Sequence, residues 1–183
     1  MKQGLILIDI QNDYFTGGNM ELVGMEQAAN NAKKLLQKFR DAQVSIFHIQ
    51  HISKHPGATF FLPDTVGAET HLSVAPQHGE AVIKKHFPNG FRDTELREHL
   101  KNAGVEEVII CGAMSHTCVD STTRAAFDFG FGCIVIEDAC ATRNLQYKGE
   151  TVKAAQVHAA FMSALAVPFA KIISVNELGS VKA

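Results

Sequence analysis

Short runs of Val, Ile and Leu recur along the chain and alternate with longer amphipathic stretches. Leu5-Ile-Leu-Ile8, Val44 to Ile49, Ala81-Val-Ile-Lys84, Glu107 to Cys111, Cys133 to Ile136 and Ala170 to Ser174 read as strands. Runs made almost wholly of branched apolar residues predict strands buried on both faces. Between them, Met25 to Ala42 carries Ala28, Ala32, Leu35, Leu36 and Phe39 at helical spacing. Thr94 to Ala103 reads as a helix, with Thr94 as N-cap and Gly104 as its stop. Val119 to Phe129 reads as a helix closed by Gly130, and Tyr147 to Leu165 as one long helix rich in Ala. Strands alternating with helices predict right-handed crossovers. The expected fold is a three-layer, doubly wound α/β domain with a mostly parallel sheet and helices on both faces. It is expected to occupy residues 1–183 as a single unit. Ser53 to Gly79 follows neither period, and irregular segments of that length commonly form lids or binding loops.

Composition narrows the function classes. The hydrophobic share of 46% and charged share of 20% predict a globular chain. A net charge of −2, with no long Lys/Arg run, argues against a nucleic-acid partner. No apolar run is long enough for a membrane span, and Leu5–Ile8 is too short for a signal-peptide core. A cytoplasmic location with no membrane association is therefore expected. Cys111, Cys118, Cys133 and Cys140 show no Cys-x-x-Cys pairing, which fits a reduced compartment better than a disulfide framework.

In open parallel sheets, ligands bind beyond the carboxyl ends of the strands. Asp9 lies at the end of the first strand, Lys84 and Lys85 at the end of the Ala81 strand, and Cys118 just after the Glu107 strand. Cys118 stands at a strand-to-helix junction, among unpaired N–H groups at the positive end of a helix dipole. Both features predict a thiol shifted toward thiolate. The small residues Gly112, Ala113 and Ser115 permit a tight turn there, with the Met114 and Cys118 amides as expected oxyanion donors. Cys111 and Cys133, within strands, read as inert buried thiols, and Cys140 likewise. Asp9 follows a buried run, so its carboxylate needs a partner; it is placed to exchange a proton with a thiol. Only one of Lys84 and Lys85 can face the pocket, because strand residues alternate sides. A buried ammonium between Asp9 and Cys118 is expected to lower both their pKa values.

Four motifs in order resemble the isochorismatase-like cysteine hydrolases, a superfamily that includes nicotinamidases and carbamoylsarcosine amidases. They are Asp9-Ile-Gln11-Asn-Asp13, Lys85-His-Phe-Pro-Asn-Gly-Phe91-Arg-Asp-Thr94, Cys111-Gly-Ala-Met-Ser-His-Thr-Cys118-Val, and Asp138-Ala-Cys-Ala, and they span nearly the whole chain. The resemblance implies an Asp9-Lys85-Cys118 triad and selects Lys85 over Lys84. It implies a thioester intermediate and a non-proline cis peptide at Ala113–Met114. It also implies a homodimer or homotetramer. A retained Cys118 favours attack at a C(=O)–N bond over the vinyl-ether cleavage of true isochorismatases, in which the cysteine is replaced.

Nicotinamidases in this superfamily hold a metal with an Asp-x-His and further histidines. His48, His51, His55 and His71 invite that comparison here. The matching positions read His51-Ile52-Ser53, so the resemblance implies no metal and no cofactor in this chain. Gln11, Phe15, Phe60 and His116 are the candidate substrate contacts, with Phe61 and Met114 beside them. The expected function is hydrolysis of a small-molecule amide or related carbonyl compound. A vinyl-ether hydrolase is the nearest alternative. A receiver-like binding module leaves Cys118 without a role, and no Gly-x-Gly-x-x-Gly follows the first strand to suggest a dinucleotide site.

Overall fold

The computed structural model describes residues 1–183. Its strands and helices are β1 (Gln3–Ile8), α1 (Met25–Asp41), β2 (Ile46–His51), β3 (Ala81–Lys85), α2 (Leu96–Asn102), β4 (Glu107–Ala113), α3 (Asp120–Asp128), β5 (Gly132–Ala141), β6 (Leu145–Tyr147), β7 (Glu150–Val152), α4 (Ala154–Ala166) and β8 (Lys171–Ile173). The main sheet has six strands in the order β3-β2-β1-β4-β5-β8, and every pairing is parallel. Chain order reverses between β1 and β4, which opens the crevice where such sheets place their ligands.

Alternation within the strands divides the core. Leu5, Leu7, Ile109 and Cys111 pack beneath α1, through Ala28, Ala32, Leu35, Leu36 and Phe39. Ile6, Ile8, Val108 and Ile110 face the other way, against Leu96 and Leu100 of α2, Val119 and Ala126 beside and within α3, and Met162 and Leu165 of α4. The result is the expected three layers: one helix below the sheet and three above it. No helix is long and apolar enough to cross a membrane.

Three elements depart from the sequence expectation. The long helix from Tyr147 is instead a two-stranded antiparallel hairpin, β6–β7, followed by α4 from Ala154. Lys148 and Gly149 at its turn both have positive φ, 49° and 84°, the geometry of the tight turns that join hairpin strands. Asn144 Oδ1 accepts the Ala154 N–H at 2.8 Å and so starts α4 late, while Pro168 lies just beyond its end. In α2 the N-cap is Glu95, not Thr94; the Thr94 hydroxyl donates to Gly90 O at 2.6 Å and accepts only a long 3.4 Å contact from Leu96 N. Finally, β5 runs on to Ala141, past the apolar run, with a bulge opposite Ile110 to Gly112 that carries it to the site edge.

The irregular segment between β2 and β3 is tied down rather than loose. Asn12 Nδ2 donates to Val66 O, and Asp13 accepts from the amides of Phe61 at 2.6 Å and Asn19 at 3.2 Å. Asp13 is 2% exposed, and Gly67 packs so tightly against its carboxylate that a side chain there would collide with it. Two short 3-10 turns, Val66–Ala68 and Leu72–Val74, complete the segment.

Candidate active site

Asp9 is the residue after β1. Its backbone is left-handed, φ 51°, which only a well-supported position holds for a non-glycine residue. Its N–H donates to Ile49 O of β2 at 3.0 Å, and the side chain is wholly buried. Lys85 ends β3. Lys84 is exposed and Lys85 is 1% exposed, so strand alternation turns Lys85 alone inward.

Cys118 lies in a π-helical turn, Ser115–Val119, between β4 and α3. The Met114 carbonyl closes that turn by accepting from both Thr117 N and Val119 N. The Ala113–Met114 peptide is cis, as the family resemblance implied. Gly112 has φ 121°, and a Cβ there would strike the backbone of Ile8. Glycine thus lets β4 press against the end of β1, where Asp9 emerges. The Met114 N–H has no partner among the backbone hydrogen bonds of the loops and turns.

The three side chains meet. Lys85 Nζ donates to Asp9 Oδ2 at 2.7 Å and to Cys118 Sγ at 3.4 Å. A third contact was not anticipated: Lys85 Nζ also lies 2.9 Å from His51 Nδ1. Asp9 Oδ1 is buried and has no hydrogen-bond partner.

The electrostatics correct one expectation. Burial first, and Asp9 second, push the Cys118 thiol up to about 12, with Lys85 only partly opposing them. The resting residue is a neutral thiol, not the thiolate that a helix N-terminus alone would favour, because loss of water outweighs the nearby ammonium. For Lys85, burial alone would lower the pKa, but Asp9 and Cys118 reverse that and hold it charged. Tyr14 shares this environment. Burial drives its phenol well above the usual range, and the Cys118 and Asp9 charges add to that.

The remaining candidates divide. Gln11 is wholly buried and its amide is fully engaged: Nε2 donates to His51 O and Ala68 O, and Oε1 accepts from His51 N. It braces the β2 end and the long loop. Phe15 stacks on His71 with centroids 3.6 Å apart, in the wall of a cavity of about 300 Å³ that no triad residue lines. Phe60 is half-buried against Tyr14 and Phe61. His116 hydrogen-bonds Thr142 Oγ1 at 2.6 Å, which ties the Ser115–Val119 turn to the end of β5. Cys111, Cys133 and Cys140 are buried free thiols, each raised chiefly by burial.

The histidines do not assemble into one metal site. His48 pairs with Glu80 at 2.9 Å, His71 stacks on Phe15, and His55 is exposed. Donor atoms of Asp9, His51 and Cys118 do lie within 4.8 Å of one another. The Lys85 ammonium, however, contacts all three. A positive charge already occupies their point of convergence, so this donor set does not fit the metal of the nicotinamidases.

The Isochorismatase domain model matches residues 3–177. The chain belongs to the isochorismatase family. It is 50% identical over 165 residues to the isochorismatase family protein YddQ of Bacillus subtilis (strain 168), covering 90% of this chain and 92% of that one. A crystal structure of an isochorismatase-family protein from Oleispira antarctica superposes with a TM-score of 0.93 at 50% identity, covering 96% of this chain and 95% of the other. Streptothricin hydrolase of Streptomyces noursei is 34% identical over 143 residues, 78% of this chain and 51% of that enzyme. As an isochorismatase-family member, the chain is a hydrolase by kinship. The sequence brings Asp9, Lys85 and Cys118 to one edge, but there His51 reads only as the residue standing where the metal motif would have its Asp, and Tyr14 carries no signal of its own.

Proposed function

We propose that the protein is a cysteine hydrolase of small amides or related carbonyl compounds, with Asp9, Lys85 and Cys118 as its catalytic groups. The observation that carries this reading is the buried Lys85 ammonium, 2.7 Å from a carboxylate and 3.4 Å from a thiol. Kinship with a hydrolase that acts on streptothricin agrees with it.

A thiol raised to about 12 cannot attack as a standing thiolate at neutral pH. It must lose its proton as it attacks. Asp9, whose carboxylate lies within 4.8 Å of the sulfur and whose buried Oδ1 has no hydrogen-bond partner, is the base for that proton. Sulfur adds to the substrate carbonyl, and the oxyanion is received by the Met114 and Cys118 amides. Asp9 then returns the proton to the departing nitrogen as the C–N bond breaks, leaving a thioester on Cys118. Water, deprotonated by Asp9, attacks the thioester; the acid leaves and the sulfur regains a proton. Lys85 stays charged throughout and offsets the negative charge that passes between Asp9, sulfur and oxyanion.

The Cys118→Ala variant tests the reading with a panel of small amides. Loss of turnover with a folded protein supports it. Retained amide turnover rules out Cys118 as the nucleophile; the vinyl-ether alternative would instead be favoured by a vinyl-ether substrate that Cys118→Ala still cleaves.

A further inference from the structure

Lys85 has three N–H bonds and three partners. Two are Asp9 Oδ2 and Cys118 Sγ; the third, His51 Nδ1 at 2.9 Å, has no part in the proposed reaction. An ammonium has no lone pair, so Nδ1 must accept, and the ring proton must reside on Nε2. Burial first, and the Lys85 charge second, lower His51 to about 4, which leaves the ring neutral at pH 7. Asp9 opposes that shift and His86 adds to it; these, with Lys85, are the charged groups that bear on the ring.

The placement of His51 is built in at several levels. It ends β2 directly opposite Lys85 in the parallel register, so the two side chains share one face. Gln11 clasps its backbone on both sides, accepting from His51 N at 2.8 Å and donating to His51 O at 2.9 Å. The Phe61 ring lies 5.9 Å from the imidazole, and Phe61 is in turn held by Asp13. The motif Asp9 to Asp13 thus supplies a catalytic carboxylate and also the brace for His51.

We propose that His51 is a positioning residue: its neutral imidazole holds the third N–H of Lys85 and so aims the other two at Asp9 and at the sulfur. The inference rests on the reading of Cys118 as nucleophile. Without His51, a buried N–H is left unpaired. The ammonium then draws toward its strongest acceptor, Asp9 Oδ2, and away from the sulfur it helps to ionise.

The test is alkylation of Cys118 by iodoacetamide, followed by mass spectrometry on the full chain. Wild type, His51→Asn and His51→Leu are compared across a pH range. Asn places an amide oxygen near the position of Nδ1 and should keep the rate within about twofold, whereas Leu should slow it about tenfold, the loss of one charge-assisted hydrogen bond. Equal alkylation of folded His51→Leu and wild type overturns the proposal, whatever the change in melting temperature. Should His51→Leu fail to fold, nitrogen NMR of the wild-type ring decides. A neutral ring protonated at Nε2 and hydrogen-bonded at Nδ1 supports the proposal, and an imidazolium or an Nδ1–H tautomer overturns it. Neither readout requires turnover, so failure to find an amide substrate would count against the proposed function alone.

Discussion

The Nζ of Lys85 stands 2.7 Å from Oδ2 of Asp9, and neither side chain has accessible surface. Such a pair is costly to break by removing one partner, since the other charge stays buried without compensation. Lys85→Met should destabilise the protein by about 3–5 kcal/mol and abolish hydrolysis. The double variant Asp9→Asn/Lys85→Met should be less destabilised than the sum of the two single changes. Urea denaturation of the four proteins checks both statements, and simple additivity would contradict the coupling.

The Cys118 thiol provides a second prediction. Its pKa is raised to about 12, mainly by burial. A raised pKa means the folded protein keeps its proton where an unfolded chain loses it, so the associated stability is present below the ordinary thiol value and is lost as pH rises toward about 12. In the absence of substrate, iodoacetamide labelling of Cys118 should keep climbing beyond pH ~9 instead of levelling near neutrality. A plateau near pH ~7 would show a resting thiolate instead.

A third prediction concerns acid stability away from the site. Glu80 is bound by Arg40 Nε at 2.6 Å and by His48 Nε2 at 2.9 Å. Burial alone would raise its pKa, but the Arg40 hydrogen bond, the Gln77 amide and His48 outweigh it and bring it down to about 2. A depressed carboxylate stabilises the fold above its unfolded value and loses that contribution as pH falls through about 2. Glu80→Gln should therefore remove part of the stability at pH ~7 and flatten the loss of stability between pH ~5 and ~2. Melting temperatures of the two proteins across that range measure it.

The long loop supplies a fourth prediction. Asp13 is buried and accepts the Phe61 amide at 2.6 Å, where the backbone takes a positive φ of 54°. Asp13→Ala leaves that amide unpaired, which costs about 1–3 kcal/mol. Limited proteolysis should then cut within residues 54–60 before the rest of the chain unfolds. Resistance equal to wild type would mean that the loop is held by other contacts.

What the sequence discloses follows from the range of each interaction. Asp9 is legible because it directly follows an apolar strand, and Cys118 because it lies in the small-residue turn between a strand and a helix; parallel topology alone gathers strand ends. Lys85 needs one more step, the alternation of sides, and its neighbour Lys84 makes the choice ambiguous until the family motif is invoked. His51 is hidden for a different reason: its role comes from cross-strand register with Lys85, and sequence spacing does not encode register. The same holds for Gln11, whose three hydrogen bonds reach residues far along the chain. The β6–β7 hairpin is obscured because the Ala-rich pattern of α4 runs on backward over Lys148-Gly149, a turn dipeptide. The protonated state of Cys118 is not legible in the sequence because helix-end position reports the dipole but not the depth of burial.

The central claim is that a carbonyl substrate becomes covalently attached to Cys118. The most direct measurement is intact-mass spectrometry after rapid acid quench, on wild type and Cys118→Ser, each mixed with a panel of small amides and esters. The account predicts an added acyl mass on the peptide containing Cys118 in the wild type. It predicts no thioester in the variant. Turnover of such a substrate without any acyl mass on that peptide, or undiminished turnover by Cys118→Ser, would contradict it.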